Sequence, residues 1–528
     1  MATEKKEPFT REDAKHFATE KTPSEKYLEL LSFMQQKGFI WGPEPEIYGG
    51  LAGFYTYAPL GKLLKNNVEN EIRKLYTKNG FWEVECPTVM QKEVWEASGH
   101  LGGFTDPVVT CSKCRSNFRI DNLLKELFPD ENFDHKTSEE YLKSLEQFGV
   151  MCPNCKSPFI KEIRQHTLMM KTTIGLDVEA YNRPETATTT YLPFPRYNEF
   201  FRKKYPFAVF QIGKAYRNEI SPRQHVLRCR EFTQAEAQLF IFKDQKNNFE
   251  KYDEVKHDKI PLWAWQLKEN NEHPKIMTVD EALTADNFKN QAYAWSVALA
   301  YRLFVHIGIP EDKIRIRQHF PDEKAFYADD AWDIEVNLNS FGWTELCGIH
   351  DRTDYDLTQH GKKSGKTLTA FNEQSAGENK NETPHIIEIA FGIDRPTFAL
   401  LDLFYRKTNE EEGKTKFVVP VHMSPVKVAI FPLVKKDGLP ELAEQLFFEF
   451  QQEYSTRYDV SGSIGRRYLR EDEAGTAFCI TVDYESKEKH TVTIRNRDTE
   501  QQKRVPIHNV RHIIRELLNH KMQWDDIQ

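Results

Sequence analysis

The sequence predicts an α+β protein: a large domain built on antiparallel strands and interrupted by insertions, then a smaller C-terminal α/β domain. Three observations predict it. Two alternating segments between Ala208 and Phe240 flank the polar link ISPRQHVLRC, as an antiparallel pair joined by a long loop does. Two CxxC pairs and a charged helical stretch break the regular pattern over residues 106–165, the mark of an insertion. After the charged link Lys407–Lys416, apolar strands and helices alternate through VKVAIFPLV, LPELAEQLFFEFQQEY, FCITVDY and HTVTIRN.

Composition narrows the class. A chain of 528 residues exceeds one compact core, and 39% hydrophobic with 29% charged residues excludes a disordered or fibrous protein. The net charge of −8 excludes a globally basic surface, so any nucleic acid has to be held by local clusters and base contacts. No apolar stretch approaches the ~18 residues of a membrane span, and the opening MATEKKEPFTREDAKHF is charged where a signal peptide is greasy. A cytoplasmic protein without a membrane partner is expected.

Residues 1–22 are polar and unpatterned, a flexible tail. Residues 23–105 form the first part of the large domain. There Leu64, Val68, Ile72 and Leu75 recur at helical spacing and Gly80 stops the run. In FWEVECP, Trp82, Val84 and Cys86 alternate against Glu83 and Glu85 as a strand, which Pro87 closes. Residues 166–415 form the second part, with a helical insertion at about 243–310, and strands are read in AWDIEVNLNS and GWTELCGI. Residues 420–528 are the C-terminal domain.

Cys111 with Cys114, and Cys152 with Cys155, read as a structural zinc site, because four thiolates satisfy the ion and leave no open position. The 37 residues between the pairs exceed the usual spacing, and four free thiols are the alternative. Cys86, Cys229, Cys347 and Cys479 are isolated and read as small buried residues.

The densest chemistry lies in YRNEISPRQHVLRCREFTQAE, Tyr216 to Glu236. On a period of two, Arg217 and Glu219 share one face of the first strand, and Phe232, Gln234 and Glu236 one face of the second. A cation, carboxylates and an aromatic ring converge there, a face costly to bury unless it holds a ligand of mixed charge. A solvated sheet face with cross-strand ion pairs is the alternative.

This segment resembles motif 2 of class II aminoacyl-tRNA synthetases, in the form found in glycyl-tRNA synthetases. GFWEVECP resembles motif 1, with its proline at Pro87, and EIAFGIDRPTFALL resembles motif 3, a strand running into a helix that opens at Arg395 with Pro396 near its start. IYGGLAGFYTYAPLG, SGHLGGFTDP, RPET and WTELCGIHDRTDYDL are similar to further signatures of that family. VKVAIFPLVKKDGLPELA, SGSIGRRY and TVTIRNRDTEQQKRV resemble an anticodon-binding domain.

The resemblance implies an antiparallel-sheet catalytic domain, a C-terminal anticodon-binding domain, a homodimer built on motif 1, and an enzyme that joins glycine to tRNA(Gly) with ATP and Mg2+. It assigns ATP to Arg217, Asn218, Glu219, Leu227, Arg228, Cys229, Arg230, Glu231, Phe232, Glu345, Leu346, Gly392, Ile393, Asp394 and Arg395. Arg217 holds the α-phosphate, Arg395 the γ-phosphate, Phe232 stacks on adenine, Glu219 accepts from its amine, and Glu345 also contacts magnesium. It assigns glycine to Arg119, Glu185, Phe232, Thr233, Gln234, Ala235, Glu236, Glu388, Ile389, Ala390, Phe391 and Gly392. Arg466, Arg467, Arg470, Arg495, Arg497, Lys503 and Arg504 are candidate anticodon contacts, or equally solvated faces. Three departures from the family pattern stand out: Ile389 and Ala390 replace a proline and a serine, His225 stands where glycine is common, and Cys347 follows WTEL.

Overall fold

The computed structural model describes residues 25–527 except 129, 130, 132, 134, 135, 221, 223, 326, 376–379 and 410–413. The expected tail, residues 1–22, lies outside the described residues, as do Ser221 and Arg223 of the motif 2 loop.

A nine-stranded sheet carries the larger part of the chain. Strands of the two main sheets are numbered here in chain order. They are β1 (Phe81–Glu83), β2 (Phe207–Tyr216), β3 (Glu231–Ile241), β4 (Lys259–Trp263), β5 (Lys275–Thr278), β6 (Ile314–Gln318), β7 (Asp330–Leu338), β8 (Gly342–Asp351) and β9 (His385–Gly392). Their order across the sheet is β5-β4-β6-β7-β8-β9-β3-β2-β1. All neighbours are antiparallel except β1 with β2 and β4 with β6.

One face of this sheet is covered by helix α1 (Pro59–Lys78) and helix α2 (Gln291–His306), and helix α3 (Asp394–Phe404) packs on the same core. Leu64, Val68 and Ile72 of α1 are fully buried, as their spacing predicts, while Tyr76 rather than Leu75 completes the stripe. Burying α1 here lets it touch the strands of motifs 2 and 3 together. The Tyr76 hydroxyl donates to the Ile389 carbonyl at 3.0 Å.

Four local expectations change. β1 ends at Glu83, and Trp82 lies outward, 56% exposed, because this is an edge strand whose buried side chain is Phe81. β2 ends at Tyr216, so Arg217 and Glu219 lie beyond the ladder, which continues only through the Arg217 N–H to the Arg230 carbonyl at 2.9 Å. Residues 243–310 are not purely helical: KIPLW and KIMT within them form β4 and β5 at the far edge of the sheet. The expected link 407–416 is occupied by a hairpin, Tyr405–Asn409 with Lys414–Phe417.

The cysteine-bearing stretch forms a three-stranded antiparallel sheet of Thr105–Cys111, Asn117–Arg119 and Phe159–Thr167, with its own core of Val109, Leu124, Tyr141 and neighbours. The C-terminal sheet comprises β10 (Val428–Pro432), β11 (Thr456–Tyr458), β12 (Phe478–Val482), β13 (Thr491–Asn496) and β14 (Gln502–Pro506) in the order β11-β10-β12-β13-β14. Its core is separate from that of the large sheet. No helix among the described residues is long and apolar enough to cross a membrane.

Candidate active site

The face of the large sheet opposite α1 is polar because successive side chains of β3 and β9 alternate between two environments. Ala235, Thr233, Ile389, Phe391 and Ile393 are buried on the helix side. Gln234, Glu236, Glu388, Ala390 and Gly392 take the other side. The register sets Gln234 opposite Gly392, Glu236 opposite Ala390 and Gln238 opposite Glu388. Ala390 and Gly392, the two smallest of these, keep partial exposure, so the floor between the carboxylates is shallow and open.

Three carboxylates gather over this floor. Glu236 accepts a hydrogen bond from the Thr186 hydroxyl at 2.6 Å, and Glu185 accepts one from Thr188 at 3.1 Å. Glu388 accepts from Gln238 Nε2 at 3.1 Å and from Arg352 Nη1 at 3.4 Å, and shares a proton-bearing contact with His350 Nδ1 at 3.2 Å. Burial would raise the Glu185 carboxyl, but His100 at 3.6 Å, then Arg352 and Arg217, outweigh it and hold it well below the usual range. Glu388 is lowered likewise, with Arg352 and His350 overcoming burial. Glu236 feels Arg217 only weakly. Burial, then the charges of Glu388 and Glu185, push it up to about 8. Glu236 therefore holds a proton that an arriving cation can displace.

Two arginines flank this floor: Arg217 acts on Glu185 and Glu236, and Arg395 borders Gly392. The Arg217 guanidinium lies between the rings of Phe104 and Phe232, 5.3 and 5.4 Å from their centroids, and its Nε donates to the Pro184 carbonyl at 3.1 Å. Among the described residues no carboxylate pairs with it. Arg395, at the start of α3, donates through Nη1 to the Glu345 carbonyl at 2.7 Å and lies 3.1 Å from the Glu345 carboxylate, which is half exposed.

The remaining predicted residues divide by what they hold. Arg228 pairs with Glu219 at 2.9 Å, and Arg230 donates to the carbonyls of Glu219 and Ala52, closing the motif 2 loop onto the Gly53 segment. Asn218 donates its N–H to Leu168 and accepts from His166 through its carbonyl. Glu231 turns outward to Lys214 at 2.9 Å. Leu227, Cys229 and Leu346 are core residues, and Asp394 is buried under the sheet. Arg119 sits between Asp106 and Asp121, at 3.0 and 2.7 Å. His225 is buried with φ +51°, a left-handed conformation that favours glycine, and burial lowers its imidazole to about 4.

Sequence reasoning missed His100, Phe104, Arg183 and Arg352. Arg352 is buried between Asp356, at 2.7 Å, and Glu388. Its signal was present: Gly348, His350 and Arg352 continue one parity of β8 with no large apolar residue. Arg183 donates to Gln211, Thr189 and the Cys86 carbonyl beneath the pocket, and a Cβ on Gly213 would lie 2.2 Å from it.

Away from this floor, the sulfurs of Cys111, Cys114, Cys152 and Cys155 all lie within 4.8 Å of one another, with Cys111–Cys155 at 3.4 Å and Cys114–Cys152 at 3.6 Å. Four thiolates at ~2.3 Å from a tetrahedral ion stand about 3.8 Å apart, so this donor set fits a metal. In the C-terminal part of the chain, Arg467, Arg495 and Arg497 are buried and bonded to Pro432, Asp472 and Gly475. Arg470 and Arg504 pair with Asp459 and Asp483, and Lys503 donates to the Ile527 carbonyl. Arg466 is exposed and makes no bond to any described residue.

Comparison with known proteins agrees with this architecture. Residues 427–517 match a family model described as an anticodon binding domain. A Giardia lamblia prolyl-tRNA synthetase in complex with prolyl-adenylate superposes with a TM-score of 0.58 at 14% identity, covering 95% of this chain and 80% of that one. A threonyl-tRNA synthetase structure from Cryptosporidium parvum gives 0.57 at 16% identity, covering 93% and 98%. The fold is that of a class II aminoacyl-tRNA synthetase. Glycine–tRNA ligases of Methanococcus vannielii and Pyrococcus horikoshii are each 38% identical over 94% of this chain, and over 100% and 99% of their own lengths. The chain belongs to the glycine–tRNA ligase family.

Proposed function

We propose that this chain activates glycine with ATP and esterifies it to the 3′ end of tRNA(Gly). The observation that carries the reading is the convergence of Glu185, Glu236 and Glu388 over a floor of Ala390 and Gly392, with Glu236 pushed up to about 8 by burial and its two neighbours. An arriving ammonium ion displaces that proton and takes its place among the carboxylates. We read the refusal of amino acids with a side chain as a matter of fit around Cα once the ammonium is held, which needs no separate proofreading site.

ATP lies along the two arginines. Arg217 leaves its place over Phe232 to hold the α-phosphate as the glycine carboxylate attacks in line, and adenine takes the ring face it vacates. Arg395 exchanges Glu345 for the γ-phosphate, which frees the Glu345 carboxylate. When bound with ATP, Mg2+ would supply charge neutralisation for the pyrophosphate, and Glu345 would be the residue to hold it. Glu219, Arg228 and Arg230 shape the loop over the nucleotide.

Four further assignments belong to this reading. Residues 420–528 read the anticodon, and Arg466 is exposed and available to do so. Cys111, Cys114, Cys152 and Cys155 hold structural zinc that organises residues 106–165. Two copies associate along β1, where Trp82 and Phe200 are 56% and 62% exposed with ring centroids 5.4 Å apart, and the enzyme works in the cytoplasm.

ATP–pyrophosphate exchange across a panel of amino acids tests the central claim. Exchange should require glycine; exchange driven by proline, threonine or serine and not by glycine overturns it.

A further inference from the structure

We infer that His319, Asp333 and His350 form a second metal site, for a divalent transition ion such as Zn2+, on the sheet beside the carboxylate pocket. One donor atom from each of the three lies within 4.8 Å of the other two. The three come from adjacent strands: Asp333 from β7, His350 from β8, and His319 just beyond β6, anchored by its N–H to the Ala331 carbonyl at 3.0 Å. Two imidazoles and one carboxylate are the donor set that suits zinc with a position left open, in contrast to the closed set of four thiolates.

The arrangement of free atoms points the same way. His350 spends Nδ1 on Glu388 at 3.2 Å, and its Nε2 has no partner among the described residues. Asp333 spends Oδ2 on His319 at 2.8 Å and on Arg317 at 3.6 Å, and its Oδ1 has none. Both free atoms border one gap, the space over Gly348, where a Cβ would lie 3.5 Å from Asp333 Oδ1, 3.6 Å from His350 Nε2 and 2.9 Å from His350 Cε1. Any residue other than glycine at 348 would fill it. The rings of His319 and His350 stand edge to face with centroids 6.1 Å apart and are 18% and 24% exposed, so both can rotate to bring nitrogens to ~2.0–2.1 Å from an ion.

The His350–Glu388 contact then becomes the outer contact usual for a metal-bound histidine, whose second nitrogen donates to a carboxylate. Where Glu388 reads the glycine ammonium, which rests on the function proposed above, the ion fixes the orientation of that carboxylate.

The test uses full-length protein stripped by chelator, reloaded with Zn2+ and crystallised, with anomalous scattering recorded at the zinc edge. One peak is expected among the cysteines and a second touching His319, Asp333 and His350. In solution, Co2+ should bind at two ions per chain, one with intense near-ultraviolet thiolate absorption and one without. His350→Ala, a partly exposed position, should lose only the second ion. Absence of the second peak at saturating Zn2+, or retention of both ions in His350→Ala and His319→Ala, overturns the site. These readouts need neither glycine nor ATP, so failure of glycine-dependent exchange would sink the functional reading and leave the site standing.

Discussion

The Lys65 ammonium donates to the Asp394 carboxylate at 2.6 Å inside the protein, with both side chains under 7% exposed. Asp394 also accepts the Thr233 N–H at 2.6 Å, and Lys65 donates to the Thr233 hydroxyl at 2.9 Å. One buried pair thus ties α1 to β3 and to the start of α3, the three elements that carry motifs 1, 2 and 3. Burial alone would raise the Asp394 carboxyl, but Lys65 and the bonds from Thr233 and Tyr57 hold it below its usual value.

Lys65→Met should therefore destabilise the fold by about 3–5 kcal/mol, because it strands a buried carboxylate. Equilibrium urea unfolding measures it. Since the folded carboxyl is depressed, the stability that this pair contributes is present above the unfolded carboxylate value and is lost as pH falls through the folded one. A stability change under 1 kcal/mol would show that the pair is not structural.

Arg217→Ala and Arg395→Ala should each reduce glycine-dependent exchange by about 100- to 1,000-fold, the cost of one preorganised donor to a charged transition state. Neither arginine braces the core, so melting temperatures should stay near the parent's. Near-normal exchange in either variant would remove it from the reaction.

Glu236 should make glycine binding pH-dependent. Its raised folded value means that the proton is held below about pH 8 and that the protonated form favours the folded state. Stability from this group is full below the unfolded carboxylate value and falls as pH rises through about 8. An arriving ammonium expels the proton, so apparent glycine affinity should climb with pH, by at most about tenfold per unit, and level off near 8. Calorimetry in buffers of different ionisation enthalpy reads the released proton directly; no buffer dependence at pH 7 would refute it.

Cys152→Ser, at a fully buried sulfur, should abolish thiolate-bound zinc and loosen residues 106–165. Metal analysis with hydrogen exchange over that segment checks both. Unchanged protection in a metal-free variant would leave the four thiols without a structural role.

Much of this was legible because the chemistry sits on long strands. The alternation in EFTQAE and EIAFG separates Gln234, Glu236, Glu388 and Ala390 from the residues of the core, and a period of two survives folding. Trp82 misled because an edge strand has no second neighbour to bury its larger side chain. KIPLW and KIMT are too short, among charged neighbours, to announce strands. Arg495 and Arg497 look like surface charge in the sequence, and only the fold brings Asp472 and the Gly475 carbonyl to them. His100 and Arg352 were hidden for the same reason: their partners, Glu185 and Glu388, are distant in the chain.

The three-residue length of β1 decides how any assembly along that rim can be held. So short a ladder presents few unpaired peptide groups, which gives another strand little to zip onto and protects the monomer from runaway stacking. Cohesion there must come from the indole of Trp82 and the ring of Phe200, contacts that depend on fit and not on hydrogen-bond repetition. Trimming that one indole to a methyl should therefore divide a dimer into single chains, as sedimentation would report, while leaving each chain folded.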